Sequence, residues 1–160
     1  MSQSIEYTVA VAWDGSPVGT ANVREYSRDH IVTAGNKPPL QGSADDVFRG
    51  DADRWNPEEM LVASMAQCHM LWYLHLAARA GITVVTYNDH PAGTLVIDPD
   101  GSGRFTGITL HPSVVVTEIE DIGRAAELHE KAHRLCFVAN SVNFQVHVEP
   151  SAHALGTPVG

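Results

Sequence analysis

Asn56-Pro57-Glu58-Glu59-Met60-Leu61-Val62-Ala63-Ser64-Met65-Ala66-Gln67-Cys68 is the stretch from which the rest of the chain can be placed. It carries a complete helix start. Asn56 suits the N-cap, Pro57 suits the first helical position because its missing N–H would be unbonded there, and Glu59 completes a capping box at N3. The apolar run continues through Leu71, Trp72 and Leu76 to Ala80, and Gly81 is a natural stop. Met60 to Ala80 approaches membrane-spanning length, but Gln67, His69, His75 and Arg79 interrupt it. It reads instead as a helix buried on nearly all sides, within one domain or across a dimer interface.

Upstream, Ile5, Tyr7, Val9, Val11 and Trp13 alternate with more polar residues, and Asp14-Gly15-Ser16-Pro17 offers turn chemistry before Thr20 to Tyr26. This pattern predicts an opening hairpin. Residues Ala34 to Trp55 read as a long loop with a short strand at Val47 to Arg49. Downstream, strands are expected at Ile82 to Tyr87, Thr94 to Ile97 and Arg104 to Val116, with Pro112 marking an edge or a bulge in the last. A second helix is expected over Ile119 to Leu135, a closing strand over Val142 to Val148, and a loose tail over Glu149 to Gly160. Strands, helix, strands, helix, strand is an α+β order, and 160 residues suit one domain, 1–160.

Ten Lys and Arg against nineteen Asp and Glu give a formal charge of −9, and the basic residues are scattered. No cationic field is available for phosphates, so a nucleic acid partner is not expected, and neither is a membrane. Two cysteines and no leader-like segment point to a reducing compartment, the cytoplasm.

Cys68 among Met65, Ala66, Leu71 and Trp72 reads, on placement alone, as a small buried hydrophobe. The whole segment, however, resembles the signature helix of the osmotically inducible protein C and organic hydroperoxide resistance (OsmC/Ohr) family, and the likeness runs from about Tyr26 to Glu149. It rests on the NPEE opening, a cysteine ten residues after the first Glu, a second helix approaching Cys136, and a final apolar strand. The resemblance implies an intertwined homodimer in which antiparallel sheets wrap around central helices. It implies a thiol-dependent peroxidase acting on organic hydroperoxides, with Cys68 peroxidatic, Cys136 resolving, no cofactor, and an external dithiol reductant.

A thiolate in so apolar a helix needs a cation, and the resemblance implies an arginine held by Glu58. The chain departs from the family here. Asp14 to Gly19 contains no arginine, and Val47 stands where osmotically inducible relatives carry one. Arg49 shares Val47's face if the segment is a strand, and is the first candidate; Arg28 is the alternative. Phe137 follows Cys136 where many relatives have Pro. Ten residues on one helix separate Glu58 from Cys68 by ~15 Å of rise, so a shared site calls for Glu58 of a partner subunit or a long bridging arginine. Phe48, Trp55, Met65, Trp72 and Phe137 are candidate pocket material.

A rival constellation is His129, His133 and Cys136 at i, i+4 and i+7, one helical face that resembles a metal half-site to be completed by Cys68 or His69. It supports an alternative function, a dimer without peroxidase activity that binds an apolar small molecule or a metal. Acyl transfer by Cys68 is a third reading, without an evident base and oxyanion arrangement.

Overall fold

The computed structural model describes residues 1–15 and 17–157. Ser16, in the anticipated turn, and 158–160, at the end of the tail, lie outside the described residues. The chain divides into two compact units, Met1–Met60 and Leu61–Gly160.

In the first unit β1 (Ala10–Trp13) pairs antiparallel with β2 (His30–Thr33), which pairs with β3 (Leu40–Gly42). The hairpin partner is therefore β2 rather than Thr20 to Tyr26. Asn22 accounts for the difference. Its side chain accepts from the Arg24 amide at 2.9 Å and its carbonyl from the Glu25 and Tyr26 amides, a local turn that competes with strand pairing. The strand expected at Val47 to Arg49 is also absent: Asp46–Phe48 is a 3-10 turn. Asp45 caps it through the Val47 amide at 3.0 Å, and Arg49 closes it in the left-handed region at φ 67°. Gly50 follows because a Cβ there would overlap the Ala44 carbonyl.

Helix α1 spans Pro57–Arg79. The Glu59 amide donates to Asn56 Oδ1 at 2.8 Å, and Glu59 reaches back to the Asn56 amide at 3.4 Å, the capping box read from the sequence. Gly81, at φ 73°, ends the helix as anticipated.

The second unit continues with β4 (Val84–Asn88), β5 (Ala92–Ile97), β6 (Gly103–Leu110), β7 (Ser113–Val116), α2 (Ile122–Leu135), β8 (Gln145–Val148) and β9 (Ser151–Ala154). Pro112 splits the long run expected over Arg104 to Val116, so that β6 and β7 belong to different sheets, β5-β6-β8 and β4-β7-β9. The sheets are mixed rather than antiparallel throughout: β6 and β8 run parallel, as do β7 and β9. The tail expected to be loose supplies β9, held by Ser151 and Leu155 amides bonding to Pro112 and Val116 carbonyls. Two apolar clusters form the core of this unit. Tyr73, Leu76, Ala77, Ile82, Val114, Val116, Ala125 and Ala132 make one, and Met65, Ile108, Leu110 and Cys136 the other. Among the described residues no helix is long and apolar enough to cross a membrane.

Candidate functional site

Cys68 is half-buried on α1, and Cys136 is buried at the C-cap of α2. Both thiols are free, and Cys68 packs against the cluster containing Met65, Ile108, Leu110 and Cys136. The two are neighbours in this cluster. Burial pushes the Cys136 thiol up to about 11; the Ala139 amide, donating to its sulfur at 3.4 Å, pulls the other way, and the neighbouring Cys68 thiol adds to the rise. Cys136 is thus a protonated thiol near neutrality, in contact with a more accessible one. The turn after it is fixed by Asn140, whose amide donates to the Cys136 carbonyl at 3.0 Å and whose side chain donates to the Arg134 carbonyl at 3.1 Å.

In the first unit, a cavity of about 380 Å³ is lined by Trp13, Tyr26, Phe48, Arg28, Asp45 and Glu58 among others. Arg28 and Glu58, expected to cooperate, therefore face one space. Arg28 lies over the Tyr26 ring, 3.8 Å from its centroid, and donates to the carbonyls of Tyr26 and Val23. Arg49 is exposed at the left-handed end of its turn and does not line this cavity, so the alternation argument that favoured it no longer applies. Phe48 is a lining residue as anticipated; Trp55 instead runs beside Gly42 in a backbone bridge and is half exposed.

The histidines behave differently from the half-site expectation. His129 Nδ1 lies 3.0 Å from His69 Nε2, the two rings nearly coplanar at 7°, and Tyr73 stacks on His129 with ring centroids 4.0 Å apart. One of the two nitrogens must carry the shared proton. Burial lowers His69 to about 4, with His133 adding to the drop, and lowers His129 to about 3, with His69 adding. Among the described residues no three His, Cys, Asp or Glu side chains are arranged to hold a metal ion. The helix stops at Leu135, so Cys136 stands at its cap rather than on the helical face of His129 and His133, and His129 turns toward α1. This histidine pair, and the Arg28–Tyr26 stack, were not anticipated. A signal existed for the pair, because His69 and His129 each sit on the apolar face of a helix, but nothing in one chain's sequence says that those faces meet.

Met65 is core, not pocket. Trp72 and Phe137 meet edge to face at 5.4 Å beside the turn that carries Cys136.

Comparison with curated proteins found no match. Among solved structures, an OsmC-like protein of unknown function from Vibrio cholerae is 29% identical, with a TM-score of 0.83 over 92% of this chain and 99% of that one. An organic hydroperoxide resistance protein from Legionella pneumophila (21% identity, TM-score 0.65, 93% and 98% covered) shares the fold, as does one from Bacillus subtilis (19%, 0.62, 93% and 98%). The model of the OsmC-like protein family matches residues 50–151, which takes in α1, strands β4 to β8, α2 and both cysteines. With the sequence signature, the α+β architecture and this match in agreement, the chain belongs to the OsmC-like protein family.

Proposed function

We propose that the chain, acting as one domain in a homodimer of the reducing cytoplasm, is a thiol-dependent peroxidase for organic hydroperoxides. The observation that carries this reading is the contact between Cys68 and Cys136, two free thiols of unequal exposure in one apolar cluster. The names of the Legionella and Bacillus relatives support it at the level of the fold.

The Cys68 thiolate attacks one peroxide oxygen; the S–O bond forms, the O–O bond breaks, and the departing alkoxide takes a proton and leaves as an alcohol. The Cys136 thiol then attacks the Cys68 sulfenic acid, forming the S–S bond and releasing water. An external dithiol restores both thiols by exchange. The raised Cys136 thiol leaves the first attack to Cys68, and in the second step its proton passes to the departing hydroxide, so that water leaves as the S–S bond forms. In the dimer, Glu58 and Arg28 of a second copy supply the charge at Cys68. Arg28 replaces Arg49 in that role because Arg28 shares a cavity with Glu58. Its aromatic lining suits the organic portion of the substrate.

Stoichiometric loss of thiol on adding cumene hydroperoxide, matched by formation of cumyl alcohol, tests this function. Unchanged thiol content after prolonged exposure sinks it.

A further inference from the structure

In the second unit, α1 and α2 enclose a cleft of about 460 Å³ lined by Trp72, His75, Arg79, Leu128, Lys131 and Leu135 among others. Its volume is that of a small-molecule site. Its charge runs against the composition of the chain. The other basic residues of this unit each hold a carboxylate: Arg104 with Asp98 at 3.7 Å, Arg124 with Asp121 at 2.7 Å, and Arg134 with Glu130 at 2.5 Å. Among the described residues Arg79 and Lys131 hold none, and both line this cleft. In a protein with nineteen acidic side chains, the two cations left unpaired on this unit share one concavity. Arg79 also suits the carbonyl end of α1 on its own account, but Lys131 stands one turn inside α2 and has no comparable reason to be there.

The walls are apolar. Leu128 and Leu135 lie two turns apart on α2, on the same face. Trp72 presents a half-buried indole, steadied by edge-to-face contacts with His75 at 5.9 Å and Phe137 at 5.4 Å. An aromatic wall, two leucines and two free cations define an occupant with a flat apolar body and one acidic head.

We propose that this cleft binds a small amphipathic organic anion, an aryl carboxylate, with its ring against Trp72, Leu128 and Leu135 and its carboxylate between Arg79 and Lys131. The site uses neither thiol and does not depend on the peroxidase reading.

The test is calorimetric titration of the full chain with 1-naphthoate and with its uncharged analogue 1-naphthalenemethanol. Location is read from the Trp72 indole N–H resonance, assigned by comparison with Trp72→Phe. Saturable binding of naphthoate is expected, weakened by salt, together with a shift of the Trp72 resonance. Arg79→Gln and Lys131→Gln should each weaken naphthoate about tenfold, as loss of a charge-assisted hydrogen bond does. Both positions are exposed, so circular dichroism should show the fold intact. Arg104→Gln, on another surface element, should leave the affinity unchanged. Absence of saturable binding, equal affinity for the alcohol, an unmoved Trp72 resonance, or an equal loss in Arg104→Gln overturns the proposal.

Discussion

Cys68 and Cys136 differ less in chemistry than in surroundings, and the difference dictates how their removal should show. Cys68→Ser should abolish hydroperoxide consumption, since a hydroxyl offers no thiolate. Cys136→Ser should allow one oxidation and then stall, leaving a sulfenic acid that dimedone traps; sustained turnover of Cys136→Ser with a dithiol would remove its resolving role. The activating charge can be assigned by kinetics. Arg28→Ala should slow alkylation of Cys68 by iodoacetamide near neutral pH by about tenfold or more, as loss of a neighbouring cation does. Arg49→Ala should not. The reverse result would return the role to Arg49. The sequence displayed both thiols and both arginines, but ranking the arginines required knowing whether Val47 to Arg49 is a strand. The Asp45 cap and the positive φ at Arg49 decide that, and the cap arises from side-chain competition for a backbone amide that apolar alternation does not register.

Helices fared better than strands in the reading of the sequence, for a physical reason. A cap, a first-turn proline and a stop glycine are local, so the start and end of α1 could be located to the residue. Strand partners are chosen by distant chain segments, and neither the β1–β2 pairing nor the parallel placement of β8 and β9 is written in any one stretch. The histidine bond between α1 and α2 belongs with these non-local features, and it makes the protein acid-sensitive. His69 and His129 are lowered in the folded protein to about 4 and about 3, below an ordinary value of 6.5. Between roughly pH 6.5 and 4 the unfolded chain therefore takes up protons that the folded one refuses. Their contribution is complete above about 6.5 and falls as the pH is lowered through that window. Urea midpoints across pH 4 to 7 should decline for the natural chain. His129→Phe should be less stable at neutral pH, since His69 then lacks its partner, by about 1–3 kcal/mol. It should also show a shallower acid decline; an equally steep one would mean that other groups dominate.

For the molecule as a whole, the family assignment follows from features that agree across the chain, from the capping box to the sheet order. The proposed homodimer extends them. Leu71 on α1, Phe137 after Cys136, and the alternating Tyr7, Val9 and Val11 ahead of β2 are all exposed in a single chain. Such residues are the kind that a second copy covers. Light scattering should give twice the monomer mass, and dilution to monomer should reduce peroxidase activity more than in proportion to concentration; a fully active monomer would contradict a composite site.

Strand β9 lies along β7, bonded through the Ser151 and Leu155 amides. Its partner consequently has no open flank on that side. A truncation after Pro150 would uncover a row of unpaired carbonyls and amides along Ser113-Val114-Val115-Val116, a short, uncharged, β-branched segment of the sort that recruits identical segments from other molecules. Residues 151–154 thereby shield β7 from fibrillar self-association, and a chain cut after Pro150 should aggregate more readily than the longer one.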